Sequence, residues 1–169
     1  TTQGLELEAG YSPAKALRLQ ANYGYLSAKY NEFMDAGVNV ADNRAYVHAP
    51  KHSGSLALDW LTAQTAWGPL RLQSDYTYKS AFYTYPFQLA SSGANYNAGA
   101  QVAGNTRVKG IGTLNARLLL SDVKTGYGKM QLALWGRNLT NTSHISNFID
   151  FGPGFGNLTQ AYYNQPRMV

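Results

Sequence analysis

Polar side chains, several of them charged, stand at every second position of several extended segments, and the charged ones are the first candidates for chemistry. Arg71 and Asp75, for example, alternate with Leu70 and Leu72. Alternate side chains of a strand point to the same face, so one face collects the charges and the other the apolar groups. A face with both signs of charge can pair ions or hold a polar solute, and we expect it to line a water-filled lumen. The predicted lumen-lining residues are Arg18, Arg71, Asp75, Arg117 and Arg137.

Nucleophilic catalysis is not indicated by the sequence. Ser53, His52 and Asp59 are close along the chain, and a hydrolase needs its nucleophile, base and orienting group brought together. On an extended strand, however, adjacent residues point to opposite faces. We therefore predict that the protein is not an enzyme.

The remaining polar chemistry is sparse. The three histidines, His48, His52 and His144, have no neighbouring carboxylate cluster, and the chain contains no cysteine. We predict neither a metal site nor a cofactor. The formal net charge of +5 comes from scattered Lys and Arg, whereas a nucleic-acid-binding surface would cluster them. No nucleic-acid partner is expected.

Aromatic residues in two long loops are the best candidates for binding a substrate. Tyrosine and phenylalanine rings can stack on the planar or apolar face of a ligand. The alternative is an aromatic girdle at the membrane interface, which uses the same residue types. The candidate substrate-binding residues are Tyr83, Tyr85, Phe87, Tyr96, Phe151 and Phe155.

The elements that must position these residues are strands throughout. Alternation and turn residues predict seven of them: residues 4–12, 16–31, 51–62, 69–83, 107–121, 129–139 and a strand just beginning at 163–169. Short connections containing Pro or Gly alternate with long ones at about 32–50, 84–106 and 141–162. The prediction is an all-β antiparallel up-and-down meander with short turns on one rim and long loops on the other.

The composition favours a membrane barrel over a soluble sandwich. Charged residues make up 14% of the chain, below the ~25% of soluble domains, and the apolar rows end in tyrosines. No segment approaches the ~20 apolar residues of a spanning helix. We predict a partial transmembrane β-barrel, about seven strands of a larger one, that forms a curved but open sheet. A small self-contained barrel with a structural or adhesive role is the alternative, although single-chain bacterial barrels have an even number of strands.

Several segments resemble TonB-dependent outer-membrane receptors. Residues 132–141 (LALWGRNLTN) are similar to the penultimate-strand motif of these receptors, and residues 165–169 (QPRMV) to the opening of their last strand. Residues 4–13 and the entry to the third strand at 49–52 are also similar. The resemblance covers essentially the whole chain.

The resemblance implies a bacterial cell outer membrane location and a part in transport. Such receptors take up scarce nutrients of the ferric siderophore, cobalamin or carbohydrate class. TonB supplies the energy for this uptake, of which siderophore transport is one example. Their lumen is closed by an N-terminal plug domain, which follows a TonB box. Residues 1–169 carry neither plug nor TonB box. The expected partners are therefore outer-membrane lipid, a small-molecule nutrient, and TonB and the plug through other parts of a receptor. We expect the chain to be the C-terminal part of the barrel.

Overall fold

The computed structural model describes residues 1–169, and strands account for most of the regular structure. In chain order these are β1 Thr2–Ala14, β2 Leu17–Ala28, β3 Met34–Asp35, β4 Val38–Asn39, β5 His52–Thr65, β6 Gly68–Lys79, β7 Phe82–Tyr83, β8 Arg107–Val108, β9 Ile111–Thr125, β10 Gly128–Gly136, β11 Ile145–Asp150 and β12 Thr159–Tyr163. Short 3₁₀ helices span Ala41–Asn43, Ala103–Thr106 and Pro153–Phe155. No helix has the length and apolarity needed to cross a membrane.

Six long strands form one antiparallel sheet in the order β1-β2-β5-β6-β9-β10. Each long strand pairs with the long strand that follows it along the chain, and the sheet is open, with β1 and β10 at its edges. The predicted all-β antiparallel meander is therefore confirmed. The remaining strands are short, and they form three two-stranded sheets within the long connections.

The predicted strand at 163–169 begins later than expected. Residues 159–163 belong to β12, which turns back onto β11 within the last loop. Only Met168 continues the large sheet, through two backbone hydrogen bonds with Arg137 of 2.9 and 3.1 Å. Pro166 has no amide hydrogen to donate to a ladder, which delays the onset of pairing.

The predicted strands 69–83 and 107–121 are each interrupted. β6 ends at Lys79, and Phe82–Tyr83 pairs instead with Arg107–Val108, outside the large sheet. At the break, the Ser80 hydroxyl accepts a hydrogen bond from the His52 backbone at 2.9 Å. A side-chain oxygen thus replaces a backbone acceptor at the end of β6. Beyond this point β7 and β8 form their own two-stranded sheet among the long loops.

Two of the three short turns, β5–β6 and β9–β10, have the same hydrogen bonds. In the β5–β6 turn, the Thr65 hydroxyl accepts from the Trp67 amide and donates to the Gly68 carbonyl at 2.7 Å. Thr125 makes the same two bonds in the β9–β10 turn. Gly68 and Gly128 have φ angles of 138° and 140°, a conformation that favours glycine. The sequence pattern Thr-x-aromatic-Gly thus forms the turn of both hairpins.

The most buried residues lie in the long connections and not in the sheet. The buried set consists mainly of loop residues, four of them apolar and five polar: Val40, Ala45, Ala103, Val108, Asn43, Thr84, Gln88, Thr106 and Asn138. Both faces of the sheet remain largely exposed. A sheet without a packed core on either side fits a barrel wall whose neighbours are lipid and lumen.

Candidate functional site: the polar face and the loop layer

The register divides the sheet into an apolar face and a charged face. Cross-strand partners share a face, and the ladder pairs Leu58 with Leu19 and Leu72 with both Trp60 and Leu118. The row that carries Arg71 lies on the opposite face. Eight leucines of the alternating rows fall together on the first face, which we call the outward face: Leu56, Leu58, Leu70, Leu72, Leu114, Leu118, Leu132 and Leu134.

The charged face brings together all five residues predicted to line the lumen. Arg18 is opposite Asp59, Asp75 is opposite Ala57, and Arg117 lies between Gln73 and Trp135. The Arg137 guanidinium stacks over the Trp135 ring at 5.5 Å. Four of the five side chains border a cavity of about 730 Å³, and Arg71 lies outside its lining. We call this side the inward face; that it faces a lumen remains a prediction.

Hydrogen bonds organise the middle of the inward face. Arg71 forms an ion pair with Asp59, and the Gln73 amide donates to the other Asp59 oxygen at 3.2 Å. On the next strand pair, the Asn115 amide donates to Asp75 at 2.8 Å. Both carboxylates therefore have partners in place.

The inward face carries excess positive charge. Arg18, Arg117 and Arg137 form no ion pair, whereas Asp59 and Asp75 are already satisfied. Glu6 and Glu8 share this face, but they lie on β1 at the open edge of the sheet. The central strands thus present unpaired guanidinium groups, which suit an anionic group on a solute or on a neighbouring protein surface.

The loop aromatics do not form a single cluster. Tyr85 and Phe87 stack with ring centroids 5.2 Å apart, and the Tyr85 hydroxyl accepts from the Asp150 amide at 3.1 Å. Phe151 and Phe155 make a separate edge-to-face pair at 6.0 Å. Tyr96 is a solitary, 36% exposed ring. Of the six predicted rings, only Tyr83 borders the large outer cavity.

That outer cavity measures about 890 Å³ and lies between the long loops and the outer ends of the strands. Tyr30 and Tyr46 pack against each other there in a tilted pair with ring centroids 4.8 Å apart, and Phe82 also lines the cavity. Lys29 and Lys51 also line it. The sequence prediction did not include these residues in the binding site. They could have been found from β2, because its row of alternate inward-facing residues continues through Leu26 and Ala28 into the cavity lining.

Hydrogen bonds join the first two long loops, and both loops border this cavity. Gln88, 2% exposed, donates to the carbonyls of Asn97 and Ala100 and accepts from the Asn97 amide at 2.9 Å. Asn43 joins the loops by donating to Asn95 and accepting from the Ala90 amide at 2.8 Å. The cavity wall is therefore a hydrogen-bonded layer.

The histidines are separated from one another and from acids. His52 lies on the outward face, whereas Asp59 lies on the inward face, so they cannot form a catalytic group with Ser53. No group of three or more His, Cys, Asp or Glu side chains is arranged to hold a metal ion. Burial lowers the pKa of His144, whose Nδ1 has no hydrogen-bond partner, and the charge of Lys79 acts in the same direction.

Comparison with known proteins identifies the class. Residues 1–139 match the family described as TonB dependent receptor-like, beta-barrel, and the chain belongs to that family. Barrels of this family are bacterial outer-membrane proteins that act as transport receptors and not as enzymes. No curated protein matches the chain.

Two solved structures share the fold. The ferric yersiniabactin uptake receptor FyuA from Yersinia pestis superposes with a TM-score of 0.66 at 15% identity. The ferric citrate transporter FecA, in its unliganded form, gives 0.62 at 20% identity. In both cases 98% of this chain is matched, and the chain spans 22% of the other protein's length.

Proposed function

We propose that this chain forms part of the barrel of an outer-membrane receptor for TonB-energised uptake of a scarce nutrient. The observation that carries the proposal is the division of one sheet into an apolar face and a charged face, in a chain of this receptor family. A charge on the lipid side costs ~2–4 kcal/mol at mid-membrane, which supports contact of the apolar face with lipid. The inward face then lines the import route.

We further infer that residues 1–169 belong to the C-terminal part of the barrel domain. The similarity of residues 132–141 to the penultimate-strand motif supports this position. A plug domain and a TonB box would then lie elsewhere in the receptor. TonB is a partner of the whole receptor and not of this segment.

The side chains support an anionic nutrient. Lys29 and Lys51 line the outer cavity without acidic partners, and Arg44 beside them is paired with Asp35 at 2.7 Å. Below, Arg18, Arg117 and Arg137 continue the positive charge along the inward face. Among the ferric siderophore, cobalamin and carbohydrate classes, this arrangement favours an anionic iron chelate over a neutral sugar.

The loop rings complete the capture surface in this proposal. Loops held by a rigid barrel are where binding residues concentrate, and tyrosine offers stacking with little entropy lost on ordering. The contributing rings are Tyr30, Tyr46, Tyr83, Tyr85, Phe87, Tyr96, Phe151 and Phe155. The first three border the outer cavity, and the others belong to the long loops at 84–106 and 141–162.

Uptake by cells that carry the full-length receptor tests the function. We expect accumulation of one of three radiolabelled probes, a ferric siderophore, cobalamin or an oligosaccharide, that disappears without either the receptor or TonB. The Tyr83→Ala/Tyr85→Ala/Tyr96→Ala variant should bind this probe at least tenfold more weakly, since each ring contributes ~0.5–1.5 kcal/mol on stacking. Tyr127→Ala, a fully exposed ring at the opposite rim, is the matched control. Unchanged affinity in the triple variant would assign the three rings to the girdle.

A further inference from the structure

The outward face carries an apolar groove across β1, β2 and β5. Its floor consists of small residues, Ala9, Ala21 and Gly54. Two adjoining depressions of about 560 and 460 Å³ share Ala9 and Ala21, so together they form one continuous groove. Its walls are larger side chains: Leu7, Tyr11, Leu19, Tyr23, Leu56, Leu58, Tyr76, Tyr78 and Leu114.

Two tyrosines lean away from this groove and leave it open. The Tyr76 ring lies over Gly112, where it occupies the place that a side chain would take. The Tyr78 hydroxyl lies 3.4 Å from the corresponding position at Gly110. Both rings therefore lean toward the strand that begins at Ile111 and form one wall of the groove, which Gly54 also borders.

The groove has the length of one membrane leaflet. From the level of His52 to that of Leu58 is six residues along β5, or roughly 20 Å at ~3.3 Å per residue. With strands tilted by ~45°, this corresponds to ~14 Å along the membrane normal, about half of the ~30 Å hydrocarbon core. The upper end of the groove lies at the rim with the long loops, which places the groove in the outer leaflet.

A polar cluster closes the upper end of the groove. The Tyr23 hydroxyl and the Nδ1 atom of His52 are 2.8 Å apart, and His52 packs against Tyr25 with ring centroids 5.5 Å apart. The Lys51 ammonium lies 5.8 Å from the centroid of the Tyr25 ring. When Tyr23 donates to Nδ1, the imidazole carries its hydrogen on Nε2, which makes no hydrogen bond in the structure. A cation and a free donor thus stand together at headgroup depth.

We propose that the groove binds one phosphorylated lipid of the outer leaflet, with an acyl chain along Ala21 and the phosphate against Lys51 and His52. The charge at the upper end matches a phosphate and not a neutral headgroup. A second copy of this chain fits less well, because a two-fold contact would bring two Lys51 side chains to the same depth. The acyl-chain groove uses the outward face, and Ala21 lies outside the outer cavity, whereas Lys51, at the rim, borders both.

Native mass spectrometry of the full-length receptor in mild detergent, titrated with phosphorylated lipid A, tests the proposal. Lys51→Gln should weaken binding about fivefold, as expected for one lysine near an anionic headgroup. Ala21→Leu fills the floor with an apolar group that the membrane tolerates, and it should weaken binding at least tenfold. Matched controls are Lys124→Gln at the other rim and Ala116→Leu on the outward face of β9; both should bind within twofold of the parent.

Four results would overturn the proposal. These are no lipid retained by the parent, equal binding of dephosphorylated lipid A, equal losses in variants and controls, or a receptor dimer that Ala21→Leu abolishes. Lys51 is exposed, so its substitution leaves folding intact and keeps the test informative. Nutrient uptake in the same variants should be unchanged for Ala21→Leu, which separates this site from the uptake function.

Discussion

A pair of neighbouring substitutions, Leu72→Arg and Gln73→Arg, examines the assignment of the two faces. The two positions are adjacent near the middle of β6, and each receives the same charged side chain. Leu72 lies on the outward face between Trp60 and Leu118, so its arginine meets lipid. Gln73 lies on the inward face, 3.2 Å from Asp59, where an arginine keeps an acidic neighbour.

The expected difference follows from the depth of the position. An arginine on the lipid face costs ~2–4 kcal/mol near the bilayer midplane. Since every 1.4 kcal/mol is tenfold, Leu72→Arg should shift the unfolding equilibrium about 30- to 700-fold. Gln73→Arg should change the free energy of unfolding by less than ~1 kcal/mol, the range of exposed ion pairs.

Guanidinium titration of the full-length receptor in phosphatidylcholine vesicles, followed by tryptophan fluorescence, measures both variants. The midpoint should fall clearly for Leu72→Arg and remain near the parent for Gln73→Arg, with similar slopes for all three proteins. Equal losses, or a larger loss for Gln73→Arg, would refute the assignment of lipid to the outward face.

Three further predictions concern the loops. Asn138→Ala removes bonds to Thr142, Gln165 and Thr140 and leaves a non-glycine residue at φ 50°, so the full-length receptor should lose about 1–3 kcal/mol of stability, measured by denaturant midpoint. Asn138→Asp should lose at least as much, because a carboxylate oxygen replaces the amide nitrogen that donates to the carbonyls of Thr142 and Gln165. Gln88→Ala should speed proteolytic cleavage within residues 84–106 without changing the barrel midpoint, whereas Gln160→Ala, at an exposed site, should not. The pKa of His144 is lowered in the folded state, so the unfolded state binds more protons below the ordinary value of 6.5. The free energy of unfolding should therefore fall as the pH drops from 6.5 to the folded pKa. Denaturant midpoints measured from pH 8 to 5 should show this fall in the parent, and His144→Gln should lack the part that His144 contributes.

The strands were predictable because their constraint is local. Arg71 and Leu72 must face opposite sides, and a one-residue slip would move a whole row of charges into lipid. Alternation along each strand therefore defines the faces without any knowledge of the partners. The inward placement of Arg18 and Arg117 follows from this alone.

The ends of the strands were less predictable because they contain irregularities. A bulge between Leu61 and Ala63 changes the register opposite Arg71 and Leu70, and another lies between Met130 and Leu132. A bulge adds one residue to one strand, and alternation no longer reports the face beyond it. Strand boundaries near the inner rim depend on these partners.

The loop layer depends on contacts between distant residues. Gln88 can be buried because Asn97 and Ala100 accept hydrogen bonds from its amide. Asn43 can be buried because residues about fifty positions away form hydrogen bonds with its amide. Nothing local distinguishes these amides from exposed ones. For the same reason Tyr30 and Tyr46, whose rings make contact across a loop, were not predicted as a pair, whereas Tyr83 was predicted from the end of its own strand.

The central claim, that one sheet separates lipid from a lumen, is most directly tested by spin-label accessibility along β6. Single cysteines at positions 70 to 78 of the full-length receptor, in a chain segment that has no cysteine of its own, are labelled and reconstituted into vesicles. The account predicts that oxygen accessibility peaks at 70, 72, 74, 76 and 78, while a water-soluble nickel chelate reaches 71, 73, 75 and 77. A pattern without a two-residue period, or one with the two phases exchanged, would contradict it.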